Sequence, residues 1–116
     1  MGVAATVGRE VHSESRRPLF IHGDVLTRYR LGLAWQLGQD SRLKATRSPD
    51  RPVTVELTVI VAAGRAIGVE IEDDGGSASL ASTAAEQTRQ ASRLVPVPPE
   101  LGDGLFRVNL ALRFEP

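Results

Sequence analysis

The fold is decided by the stretch VTVELTVIVAAGRAIGVEIE, residues 53–72 of this 116-residue chain. Over 53–61 every second residue is apolar, which is the period of a strand with one buried face. The same period returns over 67–71, and Gly64 in the short loop between the two runs can adopt a positive φ. The stretch therefore predicts an antiparallel hairpin whose loop is 62–66.

One register of this hairpin places both apolar rows on the same face. A slip of a single residue would turn one row to the opposite face, so the pattern specifies the pairing strongly. The predicted pairs are Val61 with Ile67, Val59 with Val69 and Leu57 with Ile71.

Helical patterns flank the hairpin on both sides. Asp24 is a candidate N-cap, and Leu26, Tyr29 and Leu33 after it follow the three-to-four spacing of a buried helix face. The polar, basic segment 39–52 then predicts a connecting loop. After the hairpin a stripe of small residues predicts a second helix, which starts near Ser79 or Thr83 and ends before Pro96.

The final residues, 106–114, alternate between apolar and polar side chains, which predicts a third strand buried on one face. The predicted fold class is therefore α+β. A three-stranded, antiparallel-containing sheet carries two helices packed on one face, in the order α-β-β-α-β.

Composition limits the function classes. The chain has 14 basic and 14 acidic side chains and no cysteine, so no basic field attracts nucleic acid and no thiol chemistry is possible. The longest apolar run, 59–63, is far too short to span a bilayer. Residues 1–18 mix glycine, serine and charged residues and predict a flexible tail, which leaves 19–116 as one folded domain.

Residues with catalytic or metal-binding potential are few and scattered. His12 and His22 have no second ligand at a fixed spacing, and the segment 73–76 lacks the remaining ligands of a calcium loop and predicts a turn. Three glutamates share the outer face of the hairpin, where a wet surface does not favour acid–base catalysis: Glu56, Glu70 and Glu72. We therefore expect no enzyme activity, catalytic residue, cofactor or metal.

Several short segments together resemble the C-terminal periplasmic domain of the TonB/TolA family of energy transducers, with a leaning towards TolA. The resemblance covers roughly residues 24–116. Its segments are Tyr29, Gly64-Arg65, Gly75-Gly76, Ala84-Ala85, Pro96-Val97-Pro98-Pro99 and Leu112-Arg113-Phe114-Glu115-Pro116. The chain departs from the family pattern at Ala62-Ala63, where the family usually has Pro-Asp, and at Arg30, where TonB proteins have proline.

The resemblance implies a binding and force-coupling module of the periplasm. Similar domains hang from an inner-membrane anchor, which would lie outside this chain, and work with an inner-membrane proton-channel complex. Their partners are outer-membrane barrel proteins or the periplasmic peptide motifs of such proteins.

The closing strand is the candidate partner-binding site. If it lies at the edge of a three-stranded sheet, its unpaired N–H and C=O groups form a template to which a partner segment can add as another strand. The residues of this site are Phe106, Arg107, Val108, Asn109, Leu110, Ala111, Leu112, Arg113 and Phe114.

Two alternatives remain open. In one, the closing strands of two chains pair with each other and make a structural homodimer that hides the edge. The other, a small α+β hydrolase, would need a pocket with convergent polar groups, and the sequence supplies neither a nucleophile with its base nor a phosphate-binding loop.

Overall fold

The computed structural model describes the backbone of residues 3–13 and 19–116, and side chains from Asp24 onward. The elements, in chain order, are β1 Val3–Ser13, α1 Leu19–Gly38, α2 Ser41–Lys44, β2 Val53–Ala62, β3 Arg65–Asp73, α3 Ala78–Leu94 and β4 Phe106–Phe114. The strands form one antiparallel sheet in the order β1-β4-β2-β3, and the helices pack on it. The α+β class and the order α-β-β-α-β after β1 are confirmed, with α2 as a short addition.

The flexible tail predicted for residues 1–18 is wrong for 3–13, which form β1. This strand pairs antiparallel with β4, from Val3 opposite Phe114 to Ser13 opposite Phe106. The run from Val3 to Val7 is apolar enough to join a sheet, and β4 supplies a row of backbone groups that it completes. The rest of the predicted tail lies outside the described residues.

The hairpin loop is shorter than predicted. Only Ala63 and Gly64 separate the strands, and both have a positive φ, +52° and +77°, as a tight two-residue hairpin turn requires. Val61 consequently pairs with Ala66, and the unpaired Ile67 forms a bulge in β3. The bulge returns the strand to the predicted register, so the pairs Val59–Val69 and Leu57–Ile71 are confirmed.

We expect Ala63→Asn to raise the free energy of unfolding by about 1 kcal/mol, because asparagine tolerates the left-handed conformation that costs alanine about that much. Ala63→Val should lower it by a similar amount, since a β-branched residue is disfavoured at positive φ. Urea denaturation of both variants tests this. Shifts of the same sign would contradict the assigned turn.

The core lies between the sheet and the helices, with α1 over β1 and β4 and α3 over β2 and β3. The predicted stripe of α1 is buried, including Tyr29 and Leu33, whereas Trp35 is exposed. Asp24 lies inside α1, which begins at Leu19, so it is not the N-cap. No helix in the described ranges is both long and apolar enough to cross a membrane.

The helix α3 begins earlier than either predicted cap. Ser77 is its N-cap, and its hydroxyl oxygen accepts a hydrogen bond from the N–H of Leu80. The turn predicted before it is confirmed, because the side chains of Asp73 and Asp74 accept hydrogen bonds from the N–H groups of Gly75 and Gly76. Within the predicted loop 39–52, Asp40 caps the short helix α2.

Candidate strand-addition site

The predicted site coincides with β4, whose bounds and alternation are confirmed. One face of the strand lies in the core under the helices. The buried residues on this face are Phe106, Val108, Leu110, Leu112 and Phe114. This half of the site holds the fold together and is closed to a partner.

The opposite face of β4 is polar and more accessible. Arg107 forms an ion pair with Glu70, with Nη1 and Oε2 3.6 Å apart, and Thr58 donates a hydrogen bond of 3.0 Å to Asn109. Arg107, Thr58 and Asn109 border a shallow recess of about 400 Å³, together with Glu72. Arg113 is exposed and pairs with Glu115 two residues on. Exposed pairs of this kind contribute at most about 1 kcal/mol each to stability.

The expectation that β4 has an open edge is wrong. The strand lies between β2 and β1, and both neighbours pair with it antiparallel along most of its length. Sequence reasoning missed this because it treated the N-terminal segment as too polar to join the sheet. The backbone of 106–114 is therefore available to another chain only after β1 has left.

The strand β3 forms one outer edge of the described sheet, and it is poorly suited to accept another strand. Register shifts at Ile67 and Glu72 bulge it in two places within nine residues. Bulges and charged side chains are common devices that protect edges from further pairing. The exposed Ile67 and Ile71 are interrupted by Gly68 and Glu70. This edge does not offer a regular apolar template.

The pairing of β1 with β4 is irregular near its middle. Between the pairs Val7–Leu110 and Val11–Val108, β1 carries two residues more than β4. Such an insertion interrupts the ladder of backbone hydrogen bonds. The pairing is therefore regular over 3–7 and short over 11–13.

Two polar side chains lie in the buried stripe of α1. The hydroxyl oxygen of Tyr29 and two guanidinium nitrogens of Arg30 have no hydrogen-bond partner within the described part of the chain. Burial raises the pKa of Tyr29 to about 12 and lowers the pKa of Arg30. The sequence signal for Arg30 is its spacing, four residues after Leu26 and three before Leu33, which places a cation in an apolar stripe.

The residues considered for acid–base or metal chemistry do not converge. Glu56 and Glu72 are exposed, and Glu70 is paired with Arg107 on the open face of the sheet. The carboxylates of Asp73 and Asp74 hold the turn before α3. Among the described residues no cluster of three acidic or histidine side chains is placed to hold a metal ion.

No family model, curated protein or solved structure matches this chain. A functional proposal therefore rests on its own residues, on the architecture of the sheet and on the resemblance described above.

Proposed function

We propose that this chain is the periplasmic protein-binding domain of a TonB/TolA-type energy transducer. In this proposal it couples the proton gradient of the inner membrane to outer-membrane proteins. A segment of the partner pairs with β4 and takes the place that β1 occupies in the free chain.

The observation that carries the proposal is the position of β1. In its sequence, the segment 24–116 resembles the family domain. In the structure, β1 precedes the unit from α1 to β4 and pairs along β4 from Val3 to Ser13. The backbone of β4 is thus shaped to accept one more antiparallel strand. Main-chain hydrogen bonds would supply the affinity, and alternating side chains of the partner would supply selectivity.

The interrupted ladder makes β1 a replaceable occupant. Because β1 competes for the same backbone groups, the apparent dissociation constant of a partner equals its intrinsic value divided by the fraction of molecules in which β1 is detached. Four or five main-chain hydrogen bonds, at about 1 kcal/mol each and set against the entropy of association, do not reach micromolar affinity by themselves, so binding is micromolar or weaker even with side-chain contacts added. Reversible binding suits a module that must release its partner after each transfer of force.

The test is an amide-shift titration of the full chain with peptides that copy periplasmic segments of outer-membrane barrel proteins. A peptide that copies residues 3–13 serves as the reference ligand, because this segment pairs with β4 in the structure. The double variant Ala5→Pro/Thr6→Pro should detach β1, since consecutive residues of a strand point their N–H groups to opposite sides and proline removes both. We expect this variant to bind the peptides at least about tenfold more tightly than the unchanged chain does, with amide shifts at residues 106–114.

The matched control is Ala5→Val/Thr6→Val, which keeps both N–H groups and favours the strand. It should bind as weakly as the unchanged chain. Barrel peptides that shift other residues, or that fail to bind while the 3–13 peptide binds, would overturn the proposal.

The structural homodimer differs from this proposal in its dependence on concentration. Light scattering of the full chain over a hundredfold range of concentration is expected to show a monomer at low concentration. A dimer that persists on dilution and ignores the barrel peptides would favour the structural alternative.

A further inference from the structure

Arg30 is a buried cation, and two of its three guanidinium nitrogens have no acceptor among the described residues. Its side chain is 3% exposed, and Nε and Nη2 are both buried without a hydrogen-bond partner anywhere in the described ranges. A desolvated guanidinium is unfavourable unless a carboxylate or several oxygens satisfy it. Its neighbours along the stripe, Leu26 and Leu33, are fully buried and apolar and cannot do so. Within the described part of the chain, these two nitrogens are therefore left unsatisfied inside the fold.

The side of α1 on which Arg30 lies follows from the contacts of two other residues. A Cβ at Gly32 would meet Cγ1 of Val95 at 3.2 Å, and Arg28 pairs with Glu100 in the 3-10 turn Pro99–Leu101. These contacts place the end of α3 and the turn on one side of α1. Arg30 is two residues from each, so it lies about 160° around the helix from both.

The side of β4 that pairs with β1 lies towards the flank of α1 that carries Arg30. The helix packs over β1 and β4, whereas α3 packs over β2 and β3. Since the end of α3 occupies one flank of α1, the opposite flank faces the outer end of the sheet, where β1 pairs with β4. Arg30 therefore lies on the flank of α1 that faces the paired strands β1 and β4.

The two unsatisfied nitrogens are the pair that a carboxylate can bind together. Nε and Nη2 present parallel N–H groups on one side of the guanidinium plane, and a carboxylate accepts both in a bidentate contact. A neutral amide offers one acceptor oxygen beside an NH₂ group that cannot accept, so it cannot match the two parallel N–H groups with two acceptor atoms. The geometry therefore favours an acidic side chain over its amide counterpart.

We propose that Arg30 is a carboxylate receptor within the strand-addition site. A partner segment that replaces β1 carries an aspartate or glutamate on the side that faces α1, and this carboxylate pairs with Nε and Nη2. The inference rests on the proposed function, because it names the chemistry of the segment that β4 accepts.

The register of β1 places the acidic position. Residues of β4 that face the helices include Leu110 and Leu112, and the positions of β1 opposite them are Val7 and Ala5. Paired residues of an antiparallel ladder share a face of the sheet. A segment in the same register would therefore place its carboxylate at position 5 or position 7.

The test uses peptides that copy residues 3–13 with a single change at one of these positions. One pair carries Ala5→Glu or Ala5→Gln, and the other carries Val7→Glu or Val7→Gln. Each peptide is titrated against the full-length Ala5→Pro/Thr6→Pro variant. At one of the two positions, the glutamate peptide should bind at least about tenfold more tightly than its glutamine counterpart, because a buried ion pair is stronger than a neutral hydrogen bond.

The same titration is repeated with Arg30→Met and Arg30→Lys in that background. Methionine keeps most of the length and apolar stem without the charge, so the preference for glutamate should fall to about one. Lysine keeps the charge but lacks the two parallel N–H groups of the guanidinium, so it should retain part of the preference for glutamate. Binding of the glutamate peptide should also shift the Nε proton resonance of Arg30, which a purely structural role would leave unmoved.

The outcomes separate this inference from the proposed function. Equal binding of the glutamate and glutamine peptides at both positions would overturn the role of Arg30 and leave strand addition intact. A glutamate preference that survives Arg30→Met would overturn it as well. Failure of every peptide to bind β4 would overturn both.

Discussion

Replacing Gly75 with alanine is expected to lower the free energy of unfolding by about 3 kcal/mol. A methyl group there would overlap the carbonyl oxygen of Thr54 and lie 2.9 Å from Cγ1 of Val53, so β2 or the turn has to move. Overpacking costs about 1 to 3 kcal/mol, and the φ of +63° adds about 1 more for alanine. Urea denaturation with a constant m-value measures the loss.

Gly64→Ala is the matched control for this effect. Gly64 also has a positive φ, +77°, but a Cβ there has open space within 4 Å. Its loss should be about 1 kcal/mol, from the conformation alone. If the two variants lost the same stability, the close approach of Gly75 to β2 would play no part.

Leu57→Ala is expected to lower the free energy of unfolding by about 3 to 4 kcal/mol. Leu57 is fully buried near the middle of β2, and its backbone pairs with Ile71 on one side and Leu110 on the other. Truncating a leucine in such a position removes its burial and leaves a cavity that neighbouring strands cannot fill. Thermal or urea unfolding of the full chain measures the effect.

Leu94→Ala removes the same atoms from the end of α3, where the side chain is 68% exposed. It should change stability by less than about 0.5 kcal/mol. A loss comparable to that of Leu57→Ala would mean that Leu94 is covered in solution, for example by a second copy of the chain.

Local periodicity predicted much of this architecture. The alternation over 106–114 located β4 to the residue, and the small-residue stripe located α3 although its cap was misplaced. These predictions succeed because a half-buried strand or helix repeats its pattern over many residues. The hairpin loop was predicted too long, because two consecutive positive φ angles at Ala63 and Gly64 are a property of the turn and leave no period in the sequence.

The strand that carries the candidate site was predicted in its bounds, but its pairing with β1 was not. Residues 106–114 were correctly placed on one strand, and their apolar row correctly faces the core. The pairing of β1 with their outer edge was missed, because the propensity of 3–13 for a strand is weak by itself and becomes decisive only beside a strand with unpaired backbone.

The sequence by itself determined most of the residues that face the core and the order of the main elements after α1, since both follow from local periods of apolar side chains. Only the tertiary structure decided that β4 lies between two strands and that Nε and Nη2 of Arg30 have no acceptor within the described chain. Both facts depend on which distant segments meet, and long-range pairing leaves no period in the residues that take part.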